Sequence, residues 1–214
     1  MVEVRNRGAF DLFLRHCAAR SGQLLNTAEL ARDCGVDHGT VSRWLDVLET
    51  CFVVRRLQPH HRNFGKRLVK RSKLYFLDSA LACRLLHIAD ENQLRFHPLW
   101  GALAETWFFT EVLKARLGRG LPAQLWFWRS NDGLEVDLLF EMGDRLVPLE
   151  IKAGATPSSE NTAGLRKLRH VSERDPVVRV AAGFVLYGGT EERASGEDRF
   201  VPWDRIDEAV AGIV

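Results

Sequence analysis

No apolar run in the 214 residues approaches the ~18 that a membrane-spanning helix needs, so no bilayer-crossing segment is expected. The opening stretch, MVEVRNRGAF, lacks the apolar core of a secretory signal, and a cytoplasmic protein is the expectation. Cysteine is scarce. Cys17, Cys34, Cys51 and Cys83 are the only ones, and no two form a C-x-x-C pair. Their spacing speaks against a zinc site; most fall within helical or apolar patterns, as buried thiols do in a reducing compartment. Repeats and low-complexity segments are missing too. What remains is 46% hydrophobic and 27% charged, an ordinary globular composition with chain enough for one large domain or two small ones.

The formal net charge is only +2, yet acid is absent altogether between Arg55 and Lys73. That stretch holds Arg55, Arg56, Arg62, Lys66, Arg67, Lys70, Arg71 and Lys73, with His60 and His61 among them. Charge runs are most often solvated loops. A run this dense with no acid also points to a polyanionic partner.

Residues 8–20 place Phe10, Phe13, Leu14 and Cys17 at helical spacing. In NTAELARDCGVDHGTVSRWLDVLETC, Asn26 or Thr27 can cap a short helix over 27–33, Gly35 ends it, and Asp37 caps a second over 38–50. Two short helices joined by a tight glycine turn form the helix-turn-helix pattern. Val41, Trp44 and Leu45 make the buried stripe of the second helix, leaving His38, Thr40, Ser42 and Arg43 exposed near its start, where they can reach base edges or phosphates. CFVVRRLQPH and KLYFLDSALACRLL flank the basic segment as two strands flank a wing, and a helix follows near 79–87. Residues 1–88 are therefore expected to form a winged helix-turn-helix domain contacting nucleic acid through His38, Thr40, Ser42, Arg43, Arg62, Lys66, Arg67, Lys70 and Arg71. Such folds also serve as protein-interaction modules.

The polar segment ending in Pro98 reads as a linker, 89–98. Beyond it, 99–118 is a strong helix closed by Gly118; AQLWFWRS, LEVDLLFEM and RLVPLEIKA read as three strands. A helix over 158–171, a strand over 178–189, a short strand near Phe200–Trp203 and a last helix from Asp204 complete an α-β-β-β-α-β order with antiparallel hairpins. The expectation is a two-domain α+β or α/β chain, its second domain 99–214. Four tryptophans, Trp100, Trp107, Trp126 and Trp128, are expected to fill the core between helix and sheet.

The hairpin EVDLLFEMGDRLVPLEIKAG carries charge in an apolar setting. A two-residue Gly143-Asp144 loop fixes its register, setting Asp137 opposite Glu150 and Glu135 opposite Lys152. Strand alternation then gathers all four on one face. Carboxylates paired across strands cost a few tenths to ~1 kcal/mol. A divalent cation offsets that cost naturally, since hard oxygen donors from two strands suit Mg²⁺. Lys152 alone, as a structural ion pair, does so too. Glu105 shares a helix face with Gly101, Ala102, Phe108, Phe109 and Val112 and offers a third carboxylate. Arg129 and Ser130, opposite Glu135, fall at the rim.

A helix Glu105, a strand Asp137 and the E-x-K of Glu150 and Lys152 resemble the PD-(D/E)xK nuclease superfamily, whose αβββαβ core carries these groups in this order. The resemblance covers 99–190, with Val136 standing where the motif's proline would be. It implies that Glu105, Asp137, Glu150 and Lys152 are catalytic, and that Mg²⁺ or Mn²⁺ is held by Asp137, Glu150, Glu105 and the carbonyl of Ile151. HRNFGKRLVKRSKLYFLDSALACRLL, ALAETWFFTEVLK and the hairpin also resemble the C-terminal part of a prokaryotic group of AAA+ ATPase-like proteins of unassigned function. In that group an ATPase domain precedes the winged helix and the nuclease-like domain. NFGKR has a Gly-Lys pair but neither the upstream Gly nor the Ser/Thr of a phosphate loop, so no nucleotide is expected to bind and Met1 reads as the junction with a lost or separately encoded partner domain. Three readings stand open: a metal-dependent DNA endonuclease; a non-cutting DNA-binding module anchoring a separate ATPase; and a scaffold without nucleic acid. DNA is the partner expected, and a homodimer is also open.

Overall fold

The computed structural model of the chain describes residues 6–60, 71–130, 132–173 and 178–206. Arg62, Lys66, Arg67 and Lys70, among the expected nucleic-acid contacts, lie outside them. The fold is mixed α+β, in two compact units: one of residues up to Leu57 together with Arg71–Trp107, the other of Gln58 onward together with the chain from Phe108.

The first unit begins with α1 (Arg7–Ala19), a short β1 (Gln23–Leu24), α2 (Thr27–Cys34) and α3 (His38–Thr50). Local chemistry sets these boundaries. Asn26 accepts a hydrogen bond from the Glu29 N–H at the head of α2, and Asp37 accepts one from the Thr40 N–H at the head of α3. Between them Gly35 adopts the left-handed conformation, φ 63°, that ends α2. The helices bury Phe13, Cys17, Leu30, Val41, Trp44 and Leu45, with Phe10 edge-on to Trp44 at 5.2 Å. The first four residues of β2 (Val54–Pro59) pair antiparallel with β3 (Lys73–Phe76), and β1 extends β3. α4 (Ser79–Leu85) follows, capped by Asp78.

One expected linker is a helix. α5 (Glu91–Phe96) occupies the segment 89–98, with Asp90 accepting from the Gln93 N–H. It buries no residue, so it carries no apolar stripe for a periodicity reading to find. The two units part within α6 (Trp100–Gly118), between Trp107 and Phe108.

The second unit is a mixed sheet in the order β4 (Trp126–Arg129), β5 (Glu135–Met142), β6 (Arg145–Lys152), β8 (Phe184–Tyr187), β10 (Asp198–Pro202), β9 (Arg193–Ser195). β5 runs antiparallel to β4 and β6, whereas β6, β8 and β10 are parallel. Gln58 and Pro59, the end of β2, pair parallel with β4. A 3-10 turn (Ser159–Thr162) leads into α7 (Ala163–Ser172), which packs Leu165 and Leu168 against Trp128, Val136, Leu139, Val185, Tyr187 and Phe200.

The strand expected over 178–189 is broken into β7 (Arg179–Val180), beside the start of β6, and β8. Asp198 explains the break. Its carboxylate, 1% exposed, accepts from the Gly183 N–H at 2.8 Å and from both terminal nitrogens of Arg169 at 2.7 and 2.6 Å. A Cβ at 183 would meet Asp198 Oδ1 and Leu165 Cδ1 at 2.9 Å, so any larger residue at this bend has to displace the carboxylate or the core leucine. A 3-10 turn, Trp203–Arg205, stands where the last helix was expected to start. Among the described residues no helix is long and apolar enough to cross a membrane.

Two outcomes follow in urea unfolding. Gly35→Val forces a β-branched residue into a left-handed conformation with open space around it, and should cost about 1–2 kcal/mol by backbone strain alone. Asp198→Ala takes from Arg169, mostly enclosed, its two-pronged partner and leaves only the exposed Glu197 at 3.7 Å, and should cost about 3–5 kcal/mol.

Candidate acidic site on the central hairpin

The hairpin turns at Gly143, φ 62°, and its ladder runs from Met142 opposite Arg145 to Leu138 opposite Leu149, the register expected from the Gly-Asp loop. One step further the regular pairing stops. Trp128 pairs with Val136 but Trp126 with Leu139, so β5 carries an extra residue between Val136 and Leu139. This is a β-bulge, a device that re-aims a side chain. Here the side chain is Asp137, whose Oδ2 accepts from the Ile151 N–H at 2.8 Å.

The bulge alters which groups share a face. Val136 turns into the core under α7, which sends Glu135 and its cross-strand partner Arg129 to the other side. Glu150 and Lys152 are in register with Val185 and Tyr187 of that same α7 core, and so lie on the α7 face. The expectation that Glu135 joins Glu150 and Lys152 is therefore corrected. Glu135 is paired instead with Arg129, at 2.9 Å.

Asp137 and Glu150 are each 6% exposed. Lys152 Nζ, on a one-third exposed side chain, donates to Glu150 Oε1 at 2.7 Å. Buried carboxylates are costly unless cations or hydrogen bonds offset them, and the pair here brings hard-oxygen donors to the adjoining ends of two strands. Among the described residues no group of three or more acidic, histidine or cysteine side chains is placed to hold a metal. The donors on offer are two carboxylates with main-chain carbonyls such as that of Ile151. Mg²⁺ is commonly bound through one or two carboxylates and keeps several waters, so this donor set fits it.

Glu105 is engaged within the first unit. Its Oε1 accepts from Lys73 Nζ at 2.7 Å and from the Tyr75 hydroxyl. Lys73 is 2% exposed and Tyr75 fully buried. Gly22, φ 78°, closes over the other side; a Cβ there would come within 3.6 Å of Glu105 Oε2 and 3.3 Å of the Ala102 carbonyl. Beside this group Ser21 and Thr106 share a hydrogen bond at 2.8 Å. Sequence reading counted Lys73 with the basic run. Its place in a strand, with Tyr75 two residues on and so on the same face, was the signal that it turns inward.

The residues expected at the start of the recognition helix are ordered among themselves. His38 Nε2 bonds Thr27 Oγ1 at 2.7 Å; the Thr40 hydroxyl donates to Asp37 Oδ2 at 2.6 Å and accepts from Arg43 Nη2 at 2.9 Å. The Thr40 hydroxyl, then the Thr40 N–H, hold the Asp37 carboxyl below the usual carboxylate range. That contribution to the cap is complete above the ordinary carboxylate pKa and fades as pH falls through the depressed value. Ser42 is half-buried, while Arg43 and Arg71 are exposed. Arg56 is tied to Glu49 and Asp46, so the basic run is partly neutralised. Of the tryptophans, Trp128 is in the core at 2% exposed, but Trp107 is 36% exposed.

Residues 100–206 match the family model described as "Domain of unknown function (DUF4143)", and residues 1–92 match that described as "Domain of unknown function (DUF8612)". An uncharacterized protein of Mycobacterium bovis and another of Mycobacterium tuberculosis are each 42% identical over 137 residues, covering 64% of this chain. The match spans 30% of the length of each relative.

The Lys73–Glu105 pair makes a separable prediction. Lys73→Met removes the buried ammonium beside Glu105 and should destabilise the first unit by about 3–5 kcal/mol, whereas Lys73→Met with Glu105→Leu should recover much of that loss. Thermal unfolding of the three proteins measures it.

Proposed function

The chain belongs to the DUF4143 family, and on that premise we propose that it is a DNA-binding protein whose second unit carries a Mg²⁺- or Mn²⁺-dependent endonuclease site of the PD-(D/E)xK type. The observation that carries this reading is the pair of buried carboxylates, Asp137 and Glu150, at the adjoining ends of β5 and β6 with Lys152 beside them. Asp137 and Glu150 would hold the ion, together with the Ile151 carbonyl. When bound, the ion supplies a water of lowered pKa and charge stabilisation at the scissile phosphate.

The chain's own groups do the rest. The Asp137 carboxylate is aimed by the bulge and fixed by the Ile151 N–H. Lys152 ion-pairs with Glu150 and brings an ammonium to the place where phosphate charge builds up. The helix-turn-helix presents Arg43 to the DNA backbone, in contacts that weaken steeply with salt. A separate ATPase, as in the AAA+ group the sequence resembles, is the proposed protein partner.

A second reading has its own support. Glu105 is committed to Lys73 and Tyr75, and the match to the mycobacterial proteins spans only 30% of their length. On that reading the chain is a non-cutting DNA-binding or docking module. Calorimetry with Mg²⁺ and Mn²⁺, beside a cleavage assay on linear and branched DNA, separates the two. The endonuclease reading expects metal binding and cutting that both vanish in Asp137→Ala/Glu150→Ala. A wild-type protein that binds no metal would make the acids a structural cluster and leave only the docking module.

A further inference from the structure

The basic face of α7 contains one charge that no carboxylate among the described residues cancels. Lys167 is paired with Asp132 at 2.9 Å, Arg169 with Asp198 at 2.6 Å, and His170 lies 3.5 Å from Glu173. Arg166 differs. Its Nη1 donates to the Ser159 carbonyl at 2.9 Å and to the Thr162 hydroxyl, both neutral acceptors, and among the described residues no carboxylate pairs with it. The side chain is exposed. Two anchors thus restrict a guanidinium whose positive charge stays available, both of them made through Nη1. An ordered, un-neutralised arginine loses less entropy on binding an anion, and its planar fork suits phosphate.

Its position links it to the acidic site. The 3-10 turn that supplies both anchors packs on β6, the strand of Glu150 and Lys152, and α7 packs on β5 and β6. The helix starts in near contact with the hairpin: a Cβ on Gly164 would lie 1.9 Å from the Glu135 carbonyl oxygen and 3.5 Å from Val136 Cγ2. Leu165, next to Arg166, packs in the core that Val185 and Tyr187 share, and those two are the register partners of Glu150 and Lys152. Arg166 is therefore carried by the helix that covers the face of the sheet holding the E-x-K, one residue from the core contact of Leu165.

We propose that Arg166 grips a backbone phosphate neighbouring the one at the acidic site, which makes the substrate a polynucleotide rather than an isolated phosphodiester. This rests on the endonuclease reading for the reaction, while the phosphate contact is measurable without it. Lys152 serves the scissile phosphate; Arg166 serves the next one along the strand and acts on binding, not on the bond that breaks.

The test compares wild type, Arg166→Ala and Arg166→Lys with two substrates in Mn²⁺: a labelled DNA oligonucleotide and bis(p-nitrophenyl) phosphate, which has a single phosphate. Oligonucleotide binding across a salt series is measured alongside. Arg166→Ala is expected to raise the KM for the oligonucleotide about tenfold, to leave hydrolysis of the small diester unchanged, and to lower the salt slope by about one. Arg166→Lys, which keeps the charge, should restore the slope and part of the KM. An oligonucleotide affinity and slope unchanged in Arg166→Ala would overturn the inference. So would an equal loss on both substrates, the mark of a structural role. If wild type hydrolyses neither substrate, it is the endonuclease reading that fails, and the salt slope alone then decides the role of Arg166.

Discussion

The pairing of β5 with β6 is the constraint on which the rest of the second unit hangs. A two-residue turn at Gly143 and Asp144 sets a register in which a slip of one residue would exchange the buried and exposed faces of both strands. That register puts Leu138, Leu149, Phe140 and Val147 together and brings the start of β5 to the end of β6. The acids are tolerated there because the pairing stops being regular at that point. The bulged β5 brings its carboxylate to a backbone N–H of β6, that of Ile151, and the strand end offers Lys152 a route to water. An uninterrupted ladder would have set two carboxylates face to face.

Close approach does the work that side chains cannot in three places around this hairpin. Gly164 lets α7 settle onto the backbone of Glu135, Gly183 makes room for Asp198, and Gly188 comes within 2.7 Å, at its Cβ position, of the Ala153 carbonyl just past Lys152. Each glycine removes a steric barrier between a connecting segment and the strand end that carries charge. Tight connections, not extra contacts, keep the end of β6 covered on the α7 side.

The first unit solves a different problem with similar means. A lysine and a tyrosine on β3 are buried beside a glutamate on α6, and the ionic group is enclosed by the left-handed turn at Gly22. Replacing such a pair by apolar groups is often no loss in stability. What the pair adds is orientation, because two donors converging on one carboxylate oxygen fix the helix against the strand more narrowly than packing alone.

Much was legible in advance. Asn26, Gly35 and Asp37 mark the limits of α2 and α3 because caps and left-handed turns are local chemistry. The hairpin register followed from a glycine turn, which is equally local. The non-local features were not readable. The bulge in β5 depends on β4, which spends one residue fewer across the same span; the break between β7 and β8 depends on Asp198, fifteen residues past Gly183. Lys73 looked like one more surface cation until Tyr75 and Glu105 gathered around it. Sequence alone determined the order of elements, the turn that sets the hairpin and the residue types at its acidic end. The tertiary structure decided which charges are cancelled and which face each one takes. Partners distant in sequence supply both the ion pairs and the strand that defines a bulge.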